Sequence, residues 1–213
     1  MEEDWSIKKL IRQVILSRVY QLSSSTDTAQ EKLDLENLLH WRQNRRRLQA
    51  EAIRDSILAV SGSLDRSLGG ATVKPGTKTE YGYKFEGTRR SIYTPVFRNT
   101  LPQIMEVFDF ADPNLVTGKR TTSSVATQAL FLMNNPFVQQ QAIAASARLL
   151  ADKASTDATK KIDHAYLLTL GRNPTVREKQ IILDFIKKAE DPETAWTQVF
   201  QSLFSSLDFR YLN

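Results

Sequence analysis

From Val125 onward the chain is cut into short apolar-striped segments by residues that start and stop helices, and this punctuation limits the fold more than any other feature. Val125 to Met133 reads as one helix. Asn135-Pro136 supplies an N-cap and a first-turn proline for a helix reaching about Ala151. Asp157 caps the next, whose stripe is Ile162, Ala165, Tyr166 and Thr169, and Gly171 closes it. Thr175-Val176-Arg177-Glu178 is a capping box ahead of Ile182, Phe185 and Ile186. Asp191-Pro192 opens the last helix, with Trp196, Val199, Phe200, Leu203 and Leu207 on one face. Links this short return consecutive helices antiparallel, so a compact helical bundle is expected here.

The rest of the chain is less regular. Trp5 to Leu22 reads as an amphipathic helix, with Ile7, Leu10, Ile11, Val14 and Ile15 at helical spacing. Residues 23–27 form a polar loop, and 28–44 read as loop with one short helix. A second strong helix is expected from about Arg45 to Val60, striped by Ile53, Ile57, Val60 and Leu64, with Gly62 at its exit. Then comes a long irregular stretch from Gly69 to about Asn99, broken by Gly69-Gly70, Pro75-Gly76, Gly82 and Gly87. Tyr81, Tyr83 and Phe85 alternate with Gly82 and Lys84, and Ser91 to Phe97 is rich in Ile, Tyr, Val and Phe, which leaves room for a short hairpin. Thr100 and Gln103 have the spacing of a helix start, and a short helix to Phe108 follows. Asp109 to Thr122 is a second polar loop. The expected fold is mainly α: one domain over 1–213, a helical bundle with a long irregular central insertion at about 69–122. An insertion this long without regular structure tends to be functional or mobile.

Composition narrows the chemistry. None of the 213 residues is cysteine, which removes disulfides, thiol nucleophiles and thiolate metal sites from this chain. The two histidines, His40 and His164, stand in no metal-ligand pattern, and no metal site is expected. No run of 18 apolar residues exists, so no helix is expected to span a membrane. The acidic start at residues 1–4 does not resemble a signal peptide. Net charge is +5, which permits a polyanionic partner without requiring one.

Three arginine-bearing segments are the candidates for binding. Arg42, Arg45, Arg46, Arg47 and Arg54 suit anions, but a helical ladder through Arg47, Glu51 and Asp55 is the favoured reading, because such residues sit one turn apart. Arg89 and Arg90 precede a β-rich run and Arg98 follows it. They either line one anion-binding groove or pin the loop to the helices, with Asp109 and Asp112 as partner acids. Gly118-Lys119-Arg120-Thr121-Thr122 leads toward a helix and invites an anion or ordinary capping, but lacks phosphate-loop spacing. Tyr81, Tyr83 and Phe85 around Lys84 are able to stack sugars or bases, or to pack on the body. No hydrolase motif or paired-carboxylate constellation appears, so no catalytic residue is named.

Several segments carry a resemblance, in this order: Trp5-Ser6-Ile7-Lys8, Tyr20-Gln21, Arg45 to Asp55, Val60-Ser61-Gly62 with Gly69-Gly70, Arg89 to Tyr93, Arg98-Asn99, Phe108 to Pro113, Gln128 to Asn134, and Leu170-Gly171-Arg172. The chain resembles the planctomycete family called domain of unknown function 1553 over nearly its whole length. The resemblance implies a C-terminal position in a longer exported, cell-envelope protein, of which this chain is a fragment. It also implies upstream a second domain of unknown function and often a cytochrome-c-like haem domain. Haem is therefore expected only by association, with no cofactor in this chain. The leading expectation is a non-catalytic accessory or interaction module whose partners are the upstream domains. The second is a module for anionic, sulfated glycan using Arg89, Arg90, Arg98, Arg120 and the loop aromatics. The third is part of an enzyme whose site an upstream domain completes. Nucleic-acid binding is weaker, since the basic excess is only five.

Overall fold

The structure is a computed structural model that describes residues 5–152 and 157–212. The acidic start read above at residues 1–4 lies outside the described residues. The described residues group into two compact units. Among them are ten α-helices and one two-stranded sheet, so the chain is mainly α.

The first unit holds the residues up to Arg47 together with Tyr211 and Leu212. Helix α1 spans Ile7–Leu16, and the Ser6 hydroxyl caps it by accepting from the Lys9 amide. The apolar stripe continues past Leu16 in sequence, but the helix does not. Ser17 Oγ donates to the Val14 carbonyl at 2.7 Å, and Ser17 itself is extended. Helix α2 (Thr28–Leu33) is capped by Asp27. Beyond it, Asp34 accepts from the amides of Leu38 and Leu39 at 2.9 and 2.7 Å. Buried Asn37 donates through Nδ2 to the Arg42 carbonyl at 2.7 Å. Strand β1 (Arg46–Arg47) pairs antiparallel with β2 (Tyr211–Leu212), Arg46 opposite Leu212. No described apolar side chain of this unit is buried.

The second unit, Leu48–Arg210, carries the core. Helix α3 is Ala50–Ser61, five residues shorter at its start than the sequence suggests, because Arg46 and Arg47 are extended in β1. One 3-10 turn at Ser91–Tyr93 and the short helix α4 (Gln103–Val107) interrupt the central insertion. Then come α5 (Ala126–Asn134), α6 (Pro136–Ala151), α7 (Ala158–Leu170), α8 (Val176–Lys188), α9 (Pro192–Ser205) and α10 (Leu207–Arg210). Asn135, Asp157, Thr175 and Asp191 cap α6 to α9 as the sequence indicates, and the Thr175/Glu178 capping box is complete. Gly171 ends α7 in the left-handed conformation. Helix α6 packs on α9 and α3. Ile53 and Ile57 of α3, Leu132 of α5, Val138 of α6, Ile162 of α7 and Phe200 and Phe204 of α9 are wholly removed from water. At roughly 25 cal/mol per Å² of apolar surface, this shared interior is what sets the bundle.

Residues 69–122 lie in this second unit, and the two-stranded sheet lies outside them. In place of a hairpin, Tyr83, Phe85 and Phe97 pack edge to face, with ring centres 5.0 Å (Tyr83–Phe85) and 5.1 Å (Tyr83–Phe97) apart. Gly76 and Gly82 turn the chain in the left-handed conformation. Helix α4 opens at Pro102 with no side-chain cap. The expected Thr100/Gln103 box does not form, and Gln103 Oε1 accepts from Asn135 Nδ2 at 2.8 Å instead.

Candidate site in the central segment

The central segment is held by three arginines, two of them using main-chain carbonyls as acceptors. Arg54 projects from α3 and is buried. Its Nη1 donates to the Arg89 carbonyl at 2.9 Å and to Ser91 Oγ at 3.2 Å, and Nη2 donates to the Gly87 carbonyl. The next residue, Asp55, receives the Ser91 amide at 2.8 Å and the Ser91 hydroxyl at 2.7 Å. Burial pulls the Arg54 guanidinium below its ordinary pKa, and the neighbouring Asp55 charge opposes that. The pair therefore reaches the loop from one helical turn and grips it at Gly87, Arg89 and Ser91.

Arg89 continues the clasp. Its guanidinium lies 3.9 Å from the centre of the Tyr93 ring. From there it donates to the carbonyls of Ser67 and Ala71, each at 3.4 Å, and of Gly69. The Tyr93 hydroxyl accepts from the Gly69 amide at 2.9 Å. Asp65 pairs as a bridge with Arg89, and the Asp65 carboxylate sits below its ordinary pKa because the Ser67 amide donates to it. Arginine suits this work because its planar fork presents several donors at once.

Arg120 makes the third attachment. Its Nη1 donates to both carboxylate oxygens of Glu51 of α3, at 2.7 and 2.9 Å, and the guanidinium lies 4.6 Å from the Phe110 ring centre. Residues 118–122 do not open a helix, since α5 starts at Ala126 after Val125. Asp109, with φ of 58°, receives the Ser123 amide at 2.8 Å. Asp112 receives the Asn114 amide at 2.8 Å, and Asn114 in turn donates to the Arg98 carbonyl at 3.0 Å. Arg98 is exposed, whereas Arg90 is half-buried with its Nε enclosed and unpaired. Of the residues named from sequence, Arg54, Asp55, Arg89 and Glu51 with Arg120 are thus joined to the central segment or its anchors. Arg45, Arg46 and Arg47 belong to the first unit.

Beside the clasp lies a cavity of about 430 Å³. Its walls are largely apolar, from Val73, Pro75, Tyr83, Phe85 and Pro95, with Arg54, Arg89 and Lys84 among the lining residues. Lys74, also in the lining, stands 3.6 Å from Glu86. Among the described residues no group of three or more His, Asp or Glu could hold a metal ion.

A second cluster escaped the sequence reading. Arg172, just past α7, donates to Glu178 of α8 at 2.8 and 3.0 Å and to Asp208 of α10 at 2.6 and 3.0 Å. The Arg172 bond holds the Glu178 carboxyl down at about 2, with the Thr175 amide and hydroxyl adding to it. Tyr166 lies beneath the guanidinium, its hydroxyl pushed up by burial. Only the Glu178 half was legible, as a capping-box residue; Asp208 lies too far along the chain for spacing to reveal it.

A family model described as PSD1, protein of unknown function (DUF1553), matches residues 1–186. The chain belongs to this family. No curated protein and no solved structure matches it. The DUF1553 match takes in the whole arginine clasp and ends within α8. Helices α9 and α10 lie beyond it yet supply Phe200, Phe204 and Phe209 to the same core.

Proposed function

We propose that this DUF1553 chain is a non-catalytic accessory module of a larger exported protein, and that its partners are upstream domains of the same polypeptide. What supports the reading is the use made of the guanidinium groups. Arg54, Arg89 and Arg120 engage main-chain carbonyls, Ser91, Glu51 and aromatic rings, and so shape the surface of the central segment. A pinned irregular segment on a helical body presents a defined contour to a neighbour at little ordering cost. The test is assembly. The upstream part of the polypeptide, produced as a separate chain, is expected to form a one-to-one complex with this chain by light scattering after gel filtration. Two independent peaks at micromolar concentrations would remove the reading.

The cavity favours a second reading, an anionic glycan module. Aromatic rings line it and Lys84 stands at it, a combination suited to a sulfated sugar. Retention on a sulfated polysaccharide column is then expected at low salt and lost as salt rises. Lys84→Gln and Lys74→Gln should shorten it with the fold intact. Elution in the void volume at low salt would exclude this reading.

A further inference from the structure

Helix α1 separates its side chains by kind, except that Leu16 falls among the polar ones. At about 100° per residue, Ile7, Leu10, Ile11, Val14 and Ile15 fall on one face, and Lys8, Lys9, Arg12 and Gln13 fall on the other. The five apolar side chains are between 45 and 71% exposed. In α3 and α9 of the second unit comparable stripes are buried, as Ile57 and Phe200 show. Residues 5–26 contain four cations, Lys8, Lys9, Arg12 and Arg18, and no acid. Trp5 and Tyr20 flank the helix, 80 and 55% exposed.

We propose that α1 lies flat on an anionic lipid surface. Its apolar face enters the boundary between headgroups and acyl chains. Lys8 and Arg12 border that face, so their stems extend along it while the charged ends reach lipid phosphates. Trp5 and Tyr20 sit at headgroup depth, where amphipathic rings are favoured. Ten residues make a helix about 15 Å long, which lies in an interface and does not cross it. No described helix is long and apolar enough to cross a membrane.

Charge decides between this occupant and the others. Two copies pairing through the apolar face of α1 would offer Lys8, Lys9 and Arg12 no acidic partner, since α1 contains no acid. A protein groove needs only the apolar face and leaves the far face indifferent to sign. Lys8 and Arg12, beside the apolar face and with no acid on the helix to offset them, match an anionic bilayer, whose attraction adds up over each cation near the surface. The proposal goes beyond the accessory reading and does not depend on it.

The experiment is flotation of the chain with vesicles of equal parts phosphatidylglycerol and phosphatidylcholine, against vesicles of phosphatidylcholine alone. Partition at low salt is expected to be about tenfold or more stronger on the anionic vesicles. Tryptophan emission should shift to the blue, and Trp5→Phe should remove the shift while flotation persists. Leu10→Ser with Val14→Ser should abolish flotation without lowering the thermal midpoint, since both side chains already face solvent. Lys8→Gln with Arg12→Gln should erase the preference for anionic lipid. No flotation at low salt overturns the proposal, as does flotation indifferent to Leu10→Ser with Val14→Ser. A concentration-dependent dimer that Leu10→Ser dissolves, without vesicle binding, assigns the face to a second copy. Vesicle binding lost in the complete polypeptide assigns it to a neighbouring domain.

Discussion

Arg172 shows what a single arginine contributes when its fork meets two carboxylates from different helices. It couples the end of α7 to the start of α8 and to α10, and Glu178 serves the α8 cap at the same time. This has a pH consequence with a definite sign. The Glu178 carboxyl is held at about 2, below its ordinary 4.5. A carboxylate depressed in the folded state binds its proton less readily than in the unfolded chain. Its stabilisation is therefore present above about pH 4.5 and is lost as pH falls toward 2. Because the pair is partly open to water, the loss is set at about 1 kcal/mol rather than the full shift. Denaturant titrations at intervals from pH 6 to pH 2 should show this slope, and Glu178→Gln should flatten it. An equal slope in the variant would assign the acid sensitivity elsewhere. Asp191 and Asp34 are depressed too, chiefly by the Thr194 hydroxyl and the Leu39 amide respectively, and act in the same direction.

Helices α6 to α9 could be read residue by residue because their signals are local. A cap needs one oxygen and amides two or three positions away, so Asn135, Asp157, Thr175 and Asp191 declare themselves. The start of α3 could not be read in that way. Arg46 and Arg47 are extended because Tyr211 and Leu212 pair with them, more than 160 positions away. The clasp was legible only in part: the arginines were singled out, but carbonyl acceptors at Gly87, Gly69 and Ala71 carry no side-chain signature. The same holds at the far end of α3. Gly62 has φ of 81°, and Arg148 of α6 donates to the carbonyls of Ala59 and Val60 at 3.0 and 2.9 Å. A Cβ at position 62 would stand 3.2 Å from Arg148 Cδ. Gly62→Ala therefore meets both a left-handed backbone and a crowded guanidinium stem. It should cost about 1 to 2 kcal/mol, read as a lowered thermal midpoint, from the backbone penalty and the disturbed cap. A midpoint equal to that of the parent chain would show that Arg148 withdraws freely and that the helix end does not depend on it.

The two units differ in how they are held, and that difference sets the order in which they open. Residues 48–210 share one interior in which Ile53, Leu132, Val138, Phe200 and Phe204 are all wholly buried. The first unit has hydrogen bonds around Asp34 and Asn37 and a two-residue ladder, and its apolar side chains lie at the surface. Hydrogen bonds facing water contribute about 1 kcal/mol each at best, and helices of ten and six residues without tertiary burial are marginal. Local opening should therefore be far easier in α1 and α2 than in α3, α6 and α9. Native-state hydrogen exchange is expected to show α1 and α2 amides exchanging with little protection, at least about a thousandfold faster than those of α6, whose opening requires the loss of the core. Urea well below the unfolding midpoint should leave the α6 rates slow while α1 is already fully exchanged. Anionic vesicles should then slow the α1 amides specifically, because the surface that α1 lacks within the chain would be supplied by lipid. If α1 were protected as strongly as α6 without any addition, its exposed stripe would not be the weak point that the burial pattern implies, and the case for an outside partner on that face would fall with it.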